Sequence, residues 1–350
     1  MQDTNYQQRE KTTKIVNADV SFLTHRCPAQ IIHTNAMQWS EDLQCWCVFD
    51  PTVVMQVLRS EQYSVIPFSK ELMRYSKLLP EYIEGPTRVL DHIPLANEGP
   101  VHHKSRKAIV KVHNASYEKR LCQLRDSLSS LGSIFSTPGE HDLTDRIFHP
   151  CIEIATSTYL PSTPKRSNPG ASQIFDRHLS LNRRKLVYDQ INVLYKDEEK
   201  IEAGLIDQLI ALRILGYDSL LGSIEESFIS VIKQHPGRSL IDIEWPTELP
   251  NTGVPWVERV SVVDQTLSGQ SLLKDQKVRL FLTTKQSGSD IYFGSGRHKC
   301  VGAGLTQKIW QAFVQEFCKH NFKVEIIGVS YSDFDFVFNC PNKVLVLIYE

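Results

Sequence analysis

The residues from about Glu198 to Gln234 carry the longest helical pattern in the chain, and His235-Pro236-Gly237 ends it. Positions 205, 209, 212, 216, 220, 224, 228 and 231 or 232 keep the helical spacing over most of that length. At about 1.5 Å per residue, a helix of this kind crosses an entire domain. Shorter patterns surround it. WCVFDPTVVMQVLRS (46–60) reads as a strand, a turn at Asp50-Pro51 and a helix with apolar positions 53, 54, 57 and 58. A basic helix is expected from Val101 to Val112 and an apolar one from Leu143 to Leu160, closed by Pro161. PSTPKRSNPGAS (161–172) is a loop by its prolines and glycine. Segments 257–263 and 277–282 read as strands, and Leu305, Ile309, Phe313 and Phe317 mark a helix. The tail alternates like strands joined by turns. The expectation is a mainly α fold with a minor β region, residues 1–350 forming one domain. In it, 1–40 are an extension or the start of the β region, 198–234 the central helix, and 293–317 a loop and the helix after it.

Composition narrows the function. The 350 residues are 41 % hydrophobic and 23 % charged, as in a globular protein with a real core. The net charge of -1 gives no support for a nucleic-acid partner. The first residues are polar, and no apolar run reaches the roughly 18 residues a membrane span needs. A cytoplasmic location without membrane attachment is therefore expected. The eight cysteines are scattered and read as reduced thiols. Cys45-Trp46-Cys47 lacks the spacer of metal or redox motifs and belongs in a buried strand.

FGSGRHKCVGAG (293–304) is the segment that points to chemistry. Arg297, His298 and Lys299 put positive charge beside Cys300, and a helix begins near Gly302. Cations and helix N–H groups both lower a thiol pKa, so Cys300 is expected to serve as a thiolate. Glycines 294, 296, 302 and 304 would let the main chain lie flat against a large planar ligand. One soft ligand in an open loop suits haem iron better than zinc, which takes four.

With Phe293-x-x-Gly296-x-His298-x-Cys300-x-Gly302 the chain resembles the cytochromes P450, in the His-bearing form of their haem-binding signature. The resemblance implies haem b with Cys300 as axial thiolate, and a cofactor site that includes Phe293, Gly294, Gly296, His298 and Gly302. LANEGPVHHKSRKAIV (95–110) resembles the family helix in which a His and an Arg four apart reach the haem propionates, here His102 and Arg106. LGYDSL (215–220) stands where the family helix bends over the distal face. Gly216 would then contact haem, and Asp218 and Ser219 would relay protons. Arg259 matches the strand arginine that also reaches a propionate, and 264–269 the turn after it.

The chain also departs from the family. No Glu-x-x-Arg occurs between Pro236 and Arg259, where its helix should lie. Residues 283–292 are too few for the usual meander, and the roof between the 161–172 loop and the central helix is short. The resemblance thus implies a reduced cytochrome P450-like fold acting as a monooxygenase on a small substrate, biosynthetic or carrier-tethered. Its electrons would come from a ferredoxin or flavoprotein reductase. The reduced proximal side leaves two alternatives: a haem-thiolate enzyme using peroxide or catalysing coupling, dehydration or rearrangement, or a non-catalytic scaffold that activates a partner enzyme.

Overall fold

The structure, a computed structural model, describes residues 36–66, 68–157, 170–176, 179–196, 205–283, 289–331 and 337–350. Residues 1–35 of the expected extension, most of the 161–172 loop, the first residues of the central helical pattern (198–204) and part of the short 283–292 segment lie outside them.

Strands β1 (Met37–Ser40) and β2 (Cys45–Val48) pair antiparallel and lead into helix α1 (Pro51–Arg59). Proline opens that helix, and the Asp50 carboxylate caps it by accepting from the N–H groups of Thr52 (2.8 Å) and Val53 (3.0 Å). Strand β3 (Tyr63–Ser64) and helices α2 (Phe68–Tyr75), α3 (Glu84–Asp91), α4 (Gly99–Ala115) and α5 (Tyr117–Leu131) follow. Beyond them come β4 (Gly139–Asp142), α6 (His149–Ser157), α7 (Leu181–Leu194) and the central helix α8 (Ile206–Gln234). The chain continues through β5 (Trp256–Ser261), β6 (Gln265–Leu267), β7 (Gln270–Leu272) and β8 (Lys277–Phe281), the cysteine loop and α9 (Ala303–Phe317). β9 (Lys323–Ser330) and β10 (Lys343–Tyr349) close the fold. It is mainly helical, with a minor β component.

Twenty of the 29 residues of α8 are buried, so it runs through the core rather than over the surface. Its C-terminal half packs in an aromatic layer: Phe228 meets Phe148 at 5.4 Å, Phe317 at 5.2 Å and Trp245 at 6.3 Å between ring centroids. The five-stranded sheet has the order β1-β2-β8-β5-β3, with β2 and β8 parallel. Alternation along β5 puts Glu258, opposite Arg279, on one face and Arg259 on the other. Cys45 and Cys47 are both fully buried on β2, with their sulfurs 4.0 Å apart. A second sheet has the order β4-β10-β9.

Residues 235–255 contain no α-helix; a single 3-10 turn, Leu240–Asp242, interrupts an otherwise irregular path. Side chains along α8 and α9 hold that path in place. Ser227 Oγ and Asn251 exchange hydrogen bonds at 3.1 and 3.2 Å, and Ser223 Oγ accepts from Gly253 N–H at 2.9 Å. Trp310 Nε1 donates to Pro246 O at 2.9 Å, and Gln307 accepts from Leu249 N–H at 2.9 Å. A Cβ on Gly253 would lie 2.6 Å from Ser223 N, so only glycine allows this approach.

Candidate functional site

The cysteine loop is built against α1 and the start of α4. Cys300 N–H donates to Phe293 O at 2.8 Å, closing the loop on itself. Gly294 and Gly296 take φ of +65° and +68°, conformations that suit glycine. Ser295 Oγ accepts from Arg59 Nε at 2.9 Å, and Arg297 Nη2 donates to Tyr63 O at 2.7 Å. Glu98, the residue before α4, reaches the loop with both carboxylate oxygens: Oε1 lies 3.2 Å from His298 Nε2, and Oε2 lies 3.2 Å from Arg297 Nε. Oε1 also accepts from Val65 N–H at 2.8 Å. Burial works against the Glu98 charge, but the hydrogen bonds from His298 and Val65 hold its pKa below the ordinary value.

Above the loop lies a cavity of about 380 Å³, between the start of α9, the middle of α8 and the five-stranded sheet. Arg106, Gly216, Ser219, Arg259, Phe293, Gly294, His298, Cys300 and Gly302 all line it. A Cβ on Gly216 would meet nothing within 4 Å, so the helix backbone is open on that side. The Cys300 side chain is exposed, but to the cavity, and the surrounding protein still desolvates it. Burial therefore raises the thiol pKa, against the opposing pull of Gly302 N–H, Arg106 and Ala303 N–H. This corrects the expectation of a depressed pKa set by the loop cations. The helix N–H groups do face the sulfur, but Arg297 and His298 turn to Glu98, and the cation that acts on Cys300 is Arg106.

Three of the expected residues do not line the cavity: Asp218, Gly296 and His102. Ser219 lines the cavity and donates to Leu215 O at 2.6 Å, whereas the Asp218 carboxylate accepts from the Ser172 hydroxyl. Gly296 faces α1 instead: a Cβ there would sit 2.6 Å from Leu58 O.

His102 is 1 % exposed, and neither ring nitrogen has a hydrogen-bond partner among the described residues. Its ring centroid is 4.4 Å from that of His298, whose Nδ1 is also unpartnered. Burial and the His298 charge push His102 to about 4, so it is neutral near pH 7. Arg259, 7 % exposed, is lowered to about 10 by burial, and Glu98 opposes that shift. Unpartnered buried donors cost free energy, and together with Arg106 and Arg259 they make this end of the cavity fit an anionic group. Haem, held through Cys300, fits this lining, since its carboxylates match Arg106, Arg259 and His298 on the cavity wall. A single sulfur ligand suits a metal that arrives already coordinated, as in haem.

Sequence reasoning missed Glu98, and an acidic residue just before Gly-Pro at a helix start was the available signal. It also missed His113 and Arg120, both on the cavity wall. Arg120 donates to His113 O at 2.7 Å, and burial together with Arg120 pushes His113 to about 4. Phe68, Phe175, Trp256 and Phe338 form an aromatic part of the wall. Phe175 makes edge contacts with Phe68 at 5.3 Å and Phe338 at 6.1 Å.

A central buried helix, a cysteine at the base of the cavity and a small sheet beside it make up the cytochrome P450 fold. No family model and no curated protein matches the sequence. Solved structures do match. A thermophilic cytochrome P450 from Sulfolobus tokodaii superposes with a TM-score of 0.64 at 18 % identity, over 90 % of this chain and 96 % of that one. P450BioI, in complex with an acyl carrier protein ligated to hexadec-9Z-enoic acid, gives 0.63 at 16 % identity, over 89 % and 95 %. CxnD, a cytochrome P450 for C–S bond formation in chuangxinmycin biosynthesis, gives 0.58 at 16 % identity, over 86 % and 88 %.

Proposed function

We propose that the protein is a haem-thiolate oxidoreductase of cytochrome P450 type, a monooxygenase acting on a small organic substrate. The observation that carries this reading is the shared cavity: Cys300 at its base, with Arg106, Arg259 and His298 at one end and His102 behind them. Cys300 would bind the iron, and the arginines and histidines would take the propionates. Bound haem supplies oxygen activation, with the thiolate adding electron density at the iron.

The chain's own part is to hold and orient. Gly302 and Ala303 N–H groups stabilise the sulfur as thiolate. Gly216 leaves the α8 backbone open to the cavity, so a small reactant can lie against it. Ser219 already donates to Leu215 O, and its lone pairs remain to accept from a water in the cavity. Phe68, Phe175, Trp256 and Phe338 offer apolar and aromatic surface that orients a hydrophobic substrate and excludes water. The carrier-bound ligand of the P450BioI complex supports a tethered substrate as one form of that class. No helix among the described residues is long and apolar enough to cross a membrane.

Two observations favour a second reading. Asp218 is turned to Ser172, so the acid–alcohol relay is not assembled, and residues 235–255 contain no α-helix to carry a Glu-x-x-Arg pair. A haem-thiolate enzyme driven by peroxide, or one catalysing coupling, dehydration or rearrangement, needs less of both. Assaying the purified holoprotein with a reduced ferredoxin system and oxygen, and separately with hydrogen peroxide, distinguishes the two. The proposal expects turnover with reductant and oxygen, lost in Cys300→Ser. Turnover with peroxide alone would replace it with the second reading, and activity that survives Cys300→Ser would overturn both.

A further inference from the structure

We infer that Glu98 is a positioning residue that clasps the cysteine loop to the start of α4 and the end of β3. The inference rests on the haem-thiolate reading for its functional meaning, though not for its geometry.

Glu98 joins three separate stretches of chain through one carboxylate. Oε1 takes the Val65 N–H just after β3 and faces His298 Nε2, while Oε2 faces Arg297 Nε. Its backbone is extended, and its side chain makes no capping bond to α4, so the carboxylate is committed to the loop rather than to its own helix. A carboxylate can accept up to four hydrogen bonds, and here the donors include a permanent cation and a main-chain N–H.

The electrostatics give the same assignment. Arg259 and Arg297 repel each other, and Glu98 is the anion that Arg259 feels. Without Glu98, Arg259 and Arg297 would lose the anion that both feel, and Arg297 would keep its bond to Tyr63 O. Two residues separate Arg297 from Cys300, so drift of Arg297 and His298 moves the sulfur. The loop's other anchors, Ser295 to Arg59, Gly296 against Leu58 and the Cys300 N–H on Phe293 O, hold its main chain, and none of them touches the Arg297 and His298 side chains that Glu98 holds.

The test uses the full-length holoprotein with Glu98→Ala, Glu98→Gln and Glu98→Asp. Asp207→Asn serves as a control because it weakens a remote ion pair, Arg88 to Asp207 at 3.3 Å. Two quantities are read: amide hydrogen exchange of the 293–300 segment, and the rate of haem transfer to excess apomyoglobin. Glu98→Ala is expected to speed both by about tenfold, the worth of one charge-assisted hydrogen bond. Glu98→Gln, isosteric and able to keep the Val65 bond, should fall between Ala and wild type, and it carries the test should the alanine variant not fold. Glu98→Asp should recover part of the protection, and Asp207→Asn should leave 293–300 unchanged. Exchange of 293–300 within about twofold of wild type in both the Ala and Gln variants would overturn the clasp. Faster exchange in a protein that takes up no haem would keep the clasp and overturn the haem-thiolate reading instead.

Discussion

Glu226, 7 % exposed on α8, accepts from Asn339 Nδ2 at 3.0 Å and from the Tyr331 hydroxyl. Asn339 N–H in turn donates to Gly253 O at 2.7 Å, and the neighbouring Phe338 lines the cavity. Burial outweighs these bonds and the Lys233 charge, and raises the Glu226 pKa from 4.5 to about 7. The folded state therefore holds this proton more tightly than the unfolded chain. The associated stability is complete below about pH 4.5 and is lost as pH rises through 7, by on the order of 3 kcal/mol. Glu226→Gln keeps an oxygen for Asn339 and removes the titration. It is expected to unfold several degrees above wild type at pH 8 and at nearly the same temperature at pH 4.5. A thermal shift equal at both pH values would contradict the assignment. Legibility at this scale followed sequence distance. Cys300, His298, His102 and Arg106 stood in short motifs, whereas the partners of Glu98 lie 33 and 200 residues away. Asp218 and Ser219 were visible as a pair, but the rotation of α8 decides which of them faces the cavity, and no spacing rule fixes that.

At the scale of elements, α1, α4, α8 and α9 were readable because each has a long periodic face or a capping signal. Helices α5 and α7 gave no such signal. In α5, Leu121, Leu124 and Leu128 make a thin stripe among polar residues, and a buried Arg120 interrupts the pattern. The segment 235–255 shows how tertiary contacts replace a missing element. Serines on α8 and Trp310 and Gln307 on α9 satisfy its backbone groups directly, and this is invisible without the packing. The cysteine loop depends on a similar close approach at Gly296, with positive φ and with Leu58 O 2.6 Å from where a Cβ would stand. Gly296→Ala combines backbone strain with that clash and is expected to cost about 2–4 kcal/mol in chemical denaturation. A loss below about 0.5 kcal/mol would place it among ordinary surface substitutions and would contradict the packing of the loop on α1.

At the scale of the whole molecule, the mainly helical outline with a small sheet was legible, and so was the resemblance to cytochromes P450 that the superpositions bear out for the fold. The cavity was not legible, because its wall draws residues from α2, α4, α8, β5, β8, the cysteine loop and the segment around Phe338, which lie far apart in sequence. What unites these parts is a cysteine facing a cavity whose wall also carries Arg106, Arg259 and His298, with the unpartnered ring of His102 packed behind His298. The most direct test is the absorption spectrum of the purified protein, reduced and exposed to carbon monoxide. A strongly red-shifted Soret band, abolished in Cys300→Ser, is the predicted result, since it requires haem, a thiolate ligand and an open sixth position together. A protein that binds no haem, or one whose band is unshifted and unchanged by Cys300→Ser, would contradict the account.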